Sequence, residues 1–145
     1  MLYIGTDHRG FELKNKIKDY LQMKSLDYQD CGALQLDPDD DFVTFAVAVA
    51  QAVAEKPDEH RGILICRNGV GMDIVANRFK NIRCGLAFNE EQIRLARNDD
   101  DINVVSFSSE FIKENQVFAI LDVFLMTAFE GHERQQRRLQ KIDQL

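Results

Sequence analysis

The chain alternates between short apolar runs and longer segments in which apolar residues recur with helical spacing. Short apolar runs bounded by turn residues are typical of buried strands, and apolar residues that recur every three or four positions are typical of helices. The predicted strands span residues 1–5, 26–31, 62–66, 83–87 and 104–106. The predicted helices span residues 11–24, 42–54, 72–79, 90–98, 115–129 and 133–144.

This alternation predicts an α/β protein with a Rossmann-like three-layer fold, in which a mostly parallel, doubly wound sheet carries helices on both faces. A chain of 145 residues is the size of one domain, so residues 1–145 are expected to form a single unit. Ligands in such folds bind beyond the carboxyl ends of the strands. The loops 6–10, 66–71 and 88–90 are therefore expected to lie together.

Segment 117–129 is more apolar than one face of a surface helix requires. We expect this helix to form a subunit interface. The alternative is that its apolar residues are buried in the core of the same subunit.

The composition argues against some partners and indicates a cellular location. A net charge of −6 and an isoelectric point near 5.0 predict no general attraction to nucleic acid or to a membrane. The three cysteines lack the spacing of a disulfide framework, so reduced thiols in the cytoplasm are expected, with Cys31 and Cys84 in structural roles. No apolar run typical of a signal peptide or a membrane span is expected.

The strand at 62–66 ends at Cys66, and Gly69 and Gly71 follow in the turn that opens the next helix. Backbone N–H groups in such a turn, together with the positive end of a helix, favour an oxyanion or a phosphate. The same field favours the thiolate form of Cys66, which is the reactive form. The loop matches neither the dinucleotide fingerprint nor a Walker loop. From the residues alone, Cys66 is either a base or nucleophile, or a buried core cysteine.

Other polar residues are candidates for ligand contacts. Asp7 and His8 follow the first strand, and a histidine there can hold a phosphate or move a proton, with capping of a loop as the alternative. Asn103, at the edge of a later strand, is a candidate for a fixed polar contact. Arg134 and Arg137 are spaced so that they can face one side of the last helix, as a phosphate clamp or as a solvated face.

Two acidic clusters, residues 37–41 and 98–101, raise the question of a metal site. Consecutive acidic side chains cannot all face one ion, and the spacing of an EF-hand loop is absent. Both clusters are therefore expected to be solvated loops.

These residues together resemble the ribose-5-phosphate isomerase B family, which also contains the galactose-6-phosphate isomerase subunits. The likeness is collinear over essentially the whole chain and is carried by Ile4–Phe11, Gly62–Cys66, Gly69–Met72, Ala76–Asn77, Asn81–Arg83, Asp101–Val104, Phe129–Gly131 and Gln135–Arg137. It implies a homodimer or a dimer of dimers with the active site between subunits. It also implies interconversion of a phosphorylated aldose and ketose without a metal or an organic cofactor.

The resemblance implies a role for each candidate residue. Cys66 would be the base that forms a cis-enediolate, and the N–H groups of the following loop would stabilise its oxyanion. The implied substrate and phosphate contacts are Asp7, His8, Arg9, Phe42, Arg67, Gly69, Val70, Gly71, Asn103, Arg134 and Arg137.

Several of these positions differ from the family pattern. Asn68 replaces a threonine that relays protons, and an amide can donate to an oxyanion but does not readily carry a proton. Asp99 replaces the histidine that opens the sugar ring, and is a catalytic candidate in its place. Phe42 replaces a tyrosine, and Glu133 replaces the first phosphate arginine, with Arg134 beside it.

The sequence is compatible with three functions. The first is an isomerase of a phosphorylated sugar, either like ribose 5-phosphate or like a hexose 6-phosphate. The second is a weak or inactive sugar-phosphate-binding subunit that is regulatory or paired with a paralogue. The third is a cysteine-based redox or transfer protein.

Overall fold

The computed structural model describes every residue from Met1 to Leu145. Five strands form one sheet: β1 (Leu2–Thr6), β2 (Tyr28–Asp30), β3 (Arg61–Cys66), β4 (Cys84–Leu86) and β5 (Val104–Ser108). Six α-helices accompany them: α1 (Phe11–Met23), α2 (Phe42–Ala54), α3 (Val70–Ala76), α4 (Glu90–Asp100), α5 (Glu114–Met126) and α6 (Glu133–Ile142). A short 3-10 turn, His8–Gly10, joins β1 to α1.

The sheet is entirely parallel, with the strand order β2-β1-β3-β5-β4. The central strands β1, β3 and β5 are buried nearly throughout, which explains their continuous apolar runs, because a strand covered on both faces has no solvent side. Parallel strands place all their carboxyl ends at one edge of the sheet. The loops after β1, β3 and β4 therefore share that edge.

Helices cover both faces of the sheet, so the predicted three-layer arrangement is confirmed. On one face, α2 and α3 pack through Val49 and Met72. On the other face, α1, α4 and α5 pack through Ile17, Ile93 and Leu121. None of the helices has both the length and the apolar character needed to cross a membrane.

The apolar helix α5 is used inside the subunit. Four of its side chains are buried against the sheet and the neighbouring helices: Val117, Ile120, Leu121 and Phe124. Phe118 stacks on Tyr20 of α1 with ring centroids 4.6 Å apart. Met126 alone among the apolar residues of this helix is exposed. Burial in the subunit core, the alternative to an interface, therefore accounts for its composition.

The element boundaries differ from the predicted ones mainly at chain turns. β2 is shorter than predicted because Leu26 is exposed, at 38%, and does not enter the sheet. β5 extends two residues beyond its predicted end, because Phe107 is fully buried and Ser108 finds a hydrogen-bond partner at that edge. Helix α3 begins earlier than predicted, at Val70, directly after Gly69.

Candidate active site

Cys66 is the last residue of β3 and the first of residues 66–71, which we call the thiol loop. Its sulfur faces the backbone of this loop. The N–H of Gly69 donates a hydrogen bond to Cys66 Sγ across 3.2 Å. Gly69 has a φ of 79°, and a Cβ at this position would lie 2.5 Å from Leu86 Cδ1. Because an L side chain is strained there, glycine at this position fixes the N–H that meets the sulfur.

The hydrogen bond from Gly69 distinguishes Cys66 from the other cysteines. A backbone N–H that donates to sulfur stabilises the thiolate over the thiol. Burial raises the pKa of the Cys31 thiol, and burial together with the nearby carboxyl of Asp73 raises the pKa of Cys84 well above its usual value. Cys31 and Cys84 are therefore held as thiols, in line with their expected structural roles.

The N–H groups of the thiol loop are only partly free. The N–H of Gly69 is used by the sulfur, and that of Val70 donates to Asn68 Oδ1 at 3.0 Å. The N–H groups of Gly71 and Met72, in the first turn of α3, have no acceptor within the chain. The free anion-binding groups therefore lie at Gly71 and Met72 rather than along the whole loop.

Asn68 has one amide end occupied and one end free. Its Oδ1 caps the start of α3 through Val70 and lies 4.0 Å from Cys66 Sγ. Its Nδ2 makes no hydrogen bond in the chain and can donate to a ligand.

Two serines of β5 orient the thiol loop, and neither was predicted from the sequence. The hydroxyl of Ser106 donates to the carbonyl of Gly69 at 2.6 Å, and that of Ser108 donates to the carbonyl of Arg67 at 2.8 Å. Both serines are almost fully buried. Hydroxyls at alternate positions of an otherwise apolar buried strand are the sequence signal that could have identified them.

The loop after β1 lies beside the thiol loop, as predicted. The hydroxyl of Thr6 donates to the carbonyl of Ile65 at 2.7 Å and so ties the ends of β1 and β3 together. Asp7 is buried there, and its Oδ1 accepts from the N–H groups of Arg9 and Gly10 at 3.0 and 3.3 Å. Burial raises the pKa of Asp7, although these two N–H groups act in the opposite direction.

His8 is held from one side by Asp40. Asp40 Oδ1 accepts both the backbone N–H of His8, at 3.1 Å, and a hydrogen bond with the ring Nδ1, at 2.7 Å. The ring Nε2 has no partner in the chain. The prediction that residues 37–41 form a solvated loop is thus wrong at Asp40, whose side chain is only 8% exposed. Asp39 and Asp41 are exposed as predicted.

Phe42 and two arginines complete this edge of the sheet. The Phe42 ring lies over the start of α3, because a Cβ on Gly71 would lie 2.9 Å from Phe42 Cε2. Arg9 and Arg67 are both exposed at this edge, and Arg67 is paired with Glu110. The structure therefore gathers most of the predicted site around Cys66.

Asp99, Arg134 and Arg137 are not part of this cluster. Because α4 runs from the carboxyl edge back to the amino edge of the sheet, Asp99 near its end lies far from Cys66 of the same chain. Gln135 of α6 donates from Nε2 to Asp99 Oδ1 at 2.9 Å, so the arginines of α6 lie near Asp99. Gln135 is buried and was not among the residues predicted from the sequence.

The position of Asn103 does not fit the predicted ligand contact. Asn103 is fully buried just before β5, at the amino edge of the sheet. Its Nδ2 donates to the carbonyls of Asn81 and Pro57, at 2.8 and 3.4 Å, and its Oδ1 accepts the N–H of Arg83 at 2.9 Å. Asn103 is therefore a structural residue that joins chain turns.

The second acidic cluster is only partly solvated. Asp99 and Asp100 are exposed, but the carboxylate of Asp101 is paired with Arg83 at 2.8 Å and with Arg97 at 2.7 Å. No group of three or more His, Cys, Asp or Glu side chains is arranged to hold a metal ion.

An exposed apolar patch borders the thiol loop. It consists of Val70, Ile74, Leu86 and Phe88, which are between 37% and 75% exposed. Val70 and Ile74 lie one turn apart on α3, and Leu86 reaches Gly69. Contiguous apolar surfaces of this kind are typical of interaction sites.

Fold and site together define an α/β protein with a thiol, free backbone N–H groups and a histidine at the carboxyl edge of a parallel sheet, an arrangement suited to a small anionic substrate. The model of the family described as Ribose/Galactose Isomerase matches residues 2–142, and the chain belongs to this family.

Individual relatives resemble the chain over nearly its whole length. A probable ribose-5-phosphate isomerase B of Mycoplasma genitalium is 39% identical over 97% of this chain and 92% of its own. The crystal structure of that species' enzyme with bound ribulose-5-phosphate superposes with a TM-score of 0.95, at 38% identity, over 99% of this chain and 93% of the other. Ribose 5-phosphate isomerase of Thermotoga maritima gives a TM-score of 0.93 at 36% identity, over 99% and 97% of the two chains.

Proposed function

We propose that this protein catalyses the aldose–ketose isomerisation of a phosphorylated sugar, with ribose 5-phosphate and ribulose 5-phosphate as the substrate pair. The contact between Cys66 Sγ and the N–H of Gly69, beside the free N–H groups of Gly71 and Met72, carries the proposal. The ribulose-5-phosphate bound in the Mycoplasma genitalium structure supports this substrate. A hexose 6-phosphate is the other class to test.

Cys66 is the base in the proposed reaction. Its thiolate removes the proton from C2 of the open-chain aldose. The electron pair of the C2–H bond forms a double bond between C1 and C2, and the carbonyl oxygen on C1 takes up a negative charge. The resulting cis-enediolate is reprotonated at C1 by the Cys66 thiol while the carbonyl re-forms at C2 and a proton passes from one oxygen to the other. Atoms and electrons balance within the sugar, so the reaction consumes no oxidant or reductant.

The end of the thiol loop and the first turn of α3 stabilise the intermediate. The N–H groups of Gly71 and Met72 are fixed by α3 and donate to the oxyanion as its charge develops. Donors of this kind contribute roughly 100- to 1000-fold each to kcat in enzymes with oxyanion holes. Asn68 Nδ2 is a further donor to the sugar oxygens, and its amide does not act as a proton carrier.

The phosphate is bound at the end of the site formed by the loop after β1. His8 Nε2 has no partner in the chain and is free to share a proton with a phosphate oxygen. Arg9, exposed on the same loop, adds positive charge there. Phosphate carries up to two negative charges, so a histidine and an arginine are suitable partners.

A second copy of the chain completes the proposed site. Asp99, Arg134 and Arg137 lie at the opposite edge of the sheet from Cys66 in one chain, so they can act only on a neighbouring subunit's substrate. The apolar patch beside the thiol loop is the surface that such a copy would cover. We infer a homodimer or a dimer of dimers, which sedimentation analysis tests directly.

The free thiols support a location in a reducing compartment. All three cysteines are unpaired, and two of them are held as thiols. We infer that the protein is cytoplasmic, because free thiols persist where reductants maintain them.

The proposal is tested with a panel of sugar phosphates and a pair of cysteine variants. The purified protein should convert ribose 5-phosphate to ribulose 5-phosphate. Cys66→Ala should abolish this activity with little loss of substrate affinity, since the thiol acts on a proton rather than on binding. Cys84→Ser, at the amino end of β4, is the matched control and should retain activity. Binding without turnover across four- to six-carbon sugar phosphates would instead indicate a binding subunit.

A further inference from the structure

Asp40 differs from the other acidic residues of its loop. The side chain of Asp40 is 8% exposed, whereas Asp39 and Asp41 on either side are exposed. Its Oδ1 accepts two hydrogen bonds from a single residue, His8: one from the backbone N–H at 3.1 Å and one involving the ring Nδ1 at 2.7 Å. Asp40 is thus the point where the loop before α2 is fixed to the loop after β1.

This geometry determines which ring nitrogen of His8 faces outward. A carboxylate oxygen at 2.7 Å from Nδ1 requires the proton on that nitrogen, because the carboxylate has none to donate. The imidazole plane is then fixed and Nε2 is the nitrogen available to a ligand. Neutral histidine in water favours the opposite tautomer, with the proton on Nε2, so the structure selects the less common form.

The charge of Asp40 has few compensating partners apart from His8. Its Oδ2 is buried and has no hydrogen-bond partner, and Asp40 makes no other ion pair. A buried carboxylate is stable only if an opposite charge or several donors accompany it. Asp7 lies close enough to interact with Asp40, and its negative charge adds to that of Asp40 rather than offsetting it. The Asp40 carboxylate therefore depends on the two hydrogen bonds that His8 makes to its Oδ1.

We propose that Asp40 is a positioning residue for the substrate phosphate: it fixes the His8 ring with Nδ1 protonated and directs Nε2 outward, where Nε2 and a phosphate oxygen share a proton supplied by the phosphate monoanion or by water. The proposal rests on the proposed function only in placing the phosphate at His8. The competing role is a purely structural one, in which Asp40 anchors its loop and its charge is immaterial.

The substitution Asp40→Asn separates these two roles. The asparagine Oδ1 can still accept both hydrogen bonds from His8, so the loop stays anchored, but the negative charge is lost. Asp39→Asn removes one charge from the same loop, at an exposed side chain that makes no hydrogen bond, and serves as the control. Thermal unfolding verifies that each variant is folded.

Affinity is measured with inorganic phosphate, which needs no catalysis, and kinetics are measured with ribose 5-phosphate. Asp40→Asn should raise the Kd for phosphate and the KM for the sugar by about tenfold, the loss expected for one charge-assisted hydrogen bond, with kcat within about twofold. Asp39→Asn should leave all three constants within about twofold. An unchanged Kd and KM in a folded Asp40→Asn protein would overturn the proposal, and so would a loss confined to kcat.

A measurement on the unmodified protein remains decisive should Asp40→Asn not fold. Long-range proton–nitrogen NMR of the three histidines in alkaline buffer reports which ring nitrogen carries the proton. His8 should show the proton on Nδ1, and added inorganic phosphate at neutral pH should shift its Nε2 signal. A proton on Nε2 would overturn the proposal. If phosphate binds at His8 but no sugar phosphate is isomerised, the proposed function fails and the role of Asp40 stands.

Discussion

Replacing Gly69 with alanine tests whether the backbone of the thiol loop must present its N–H group to the sulfur of Cys66. The residue has a φ of 79°, and a left-handed conformation costs an L residue about 1–2 kcal/mol. The new Cβ would also lie 2.5 Å from Leu86 Cδ1 and 3.2 Å from the carbonyl carbon of Phe107. Overpacking of this kind costs about 1–3 kcal/mol. The backbone strain and the overpacking together should lower the free energy of unfolding by about 3 kcal/mol.

A double-mutant cycle separates the two contributions. The closest atom, Leu86 Cδ1, is at the end of a flexible side chain. Leu86→Ala removes this contact but neither the backbone strain at residue 69 nor the contact with Phe107. Gly69→Ala should therefore cost about 1 kcal/mol less in the Leu86→Ala background than alone. Urea unfolding of the four proteins measures this coupling.

The activity of the same variants links the strain to the chemistry. Relief of the clash moves the Gly69 N–H away from Cys66 Sγ, and a displacement of about 1 Å in a catalytic group lowers kcat by roughly 100-fold. The rate with ribose 5-phosphate should fall by that order. A Gly69→Ala protein with unfolding free energy within about 0.5 kcal/mol of the parent and kcat within about twofold would refute the reasoning.

Three further predictions follow from the electrostatics and packing. Burial raises the folded-state pKa of Asp7, so ionisation of this carboxyl opposes folding once the pH exceeds its unfolded-state pKa. Asp7→Asn keeps the acceptor oxygen and should therefore raise Tm at pH 7 by a few degrees and leave Tm unchanged near pH 3. The same substitution should weaken activity. An unchanged Tm at pH 7 would contradict this assignment. Burial alone would raise the pKa of Asp30, but hydrogen bonds from Lys14, Lys18 and the Gly32 N–H lower this pKa below its usual value. The stability that Asp30 contributes is therefore present above its unfolded-state pKa and is lost as the pH falls through its folded-state pKa. Asp30→Asn should flatten the acid limb of a plot of Tm against pH, and an unaltered limb would contradict this prediction. Gln135→Ala should free α6 from Asp99 and cost about 1 kcal/mol, seen as faster hydrogen exchange across α6, whereas unchanged exchange would show that the bond is unimportant.

Most of the fold could be predicted because apolar runs and helical spacing determine it. The strand 62–66 and helix 42–54 agree with the structure to within a residue, since each lies in a strongly patterned segment with a clear boundary. Segment 117–129 shows the limit of such patterns. An apolar surplus indicates burial, but the sequence does not reveal whether the covering atoms come from the same chain or from another.

The site was predictable where a residue follows directly from a strand end, and less so where folding supplies the partner. Cys66 and His8 were identified because parallel strands place such residues at one edge. Asp40 and Ser106 act through contacts across 32 and 37 residues of sequence, which no local pattern contains. Asn103 was misplaced because it lies at the wrong end of its strand, where an amide serves backbone carbonyls.

Solvent hydrogen exchange tests the thiolate base most directly. The unmodified protein, incubated with ribulose 5-phosphate in heavy water, should place deuterium on C1 of the sugar and lose none of its phosphate. Cys66→Ala should bind the sugar with similar affinity and introduce no deuterium over the same period. Deuterium on C1 at the parental rate in Cys66→Ala would show that another group moves the proton.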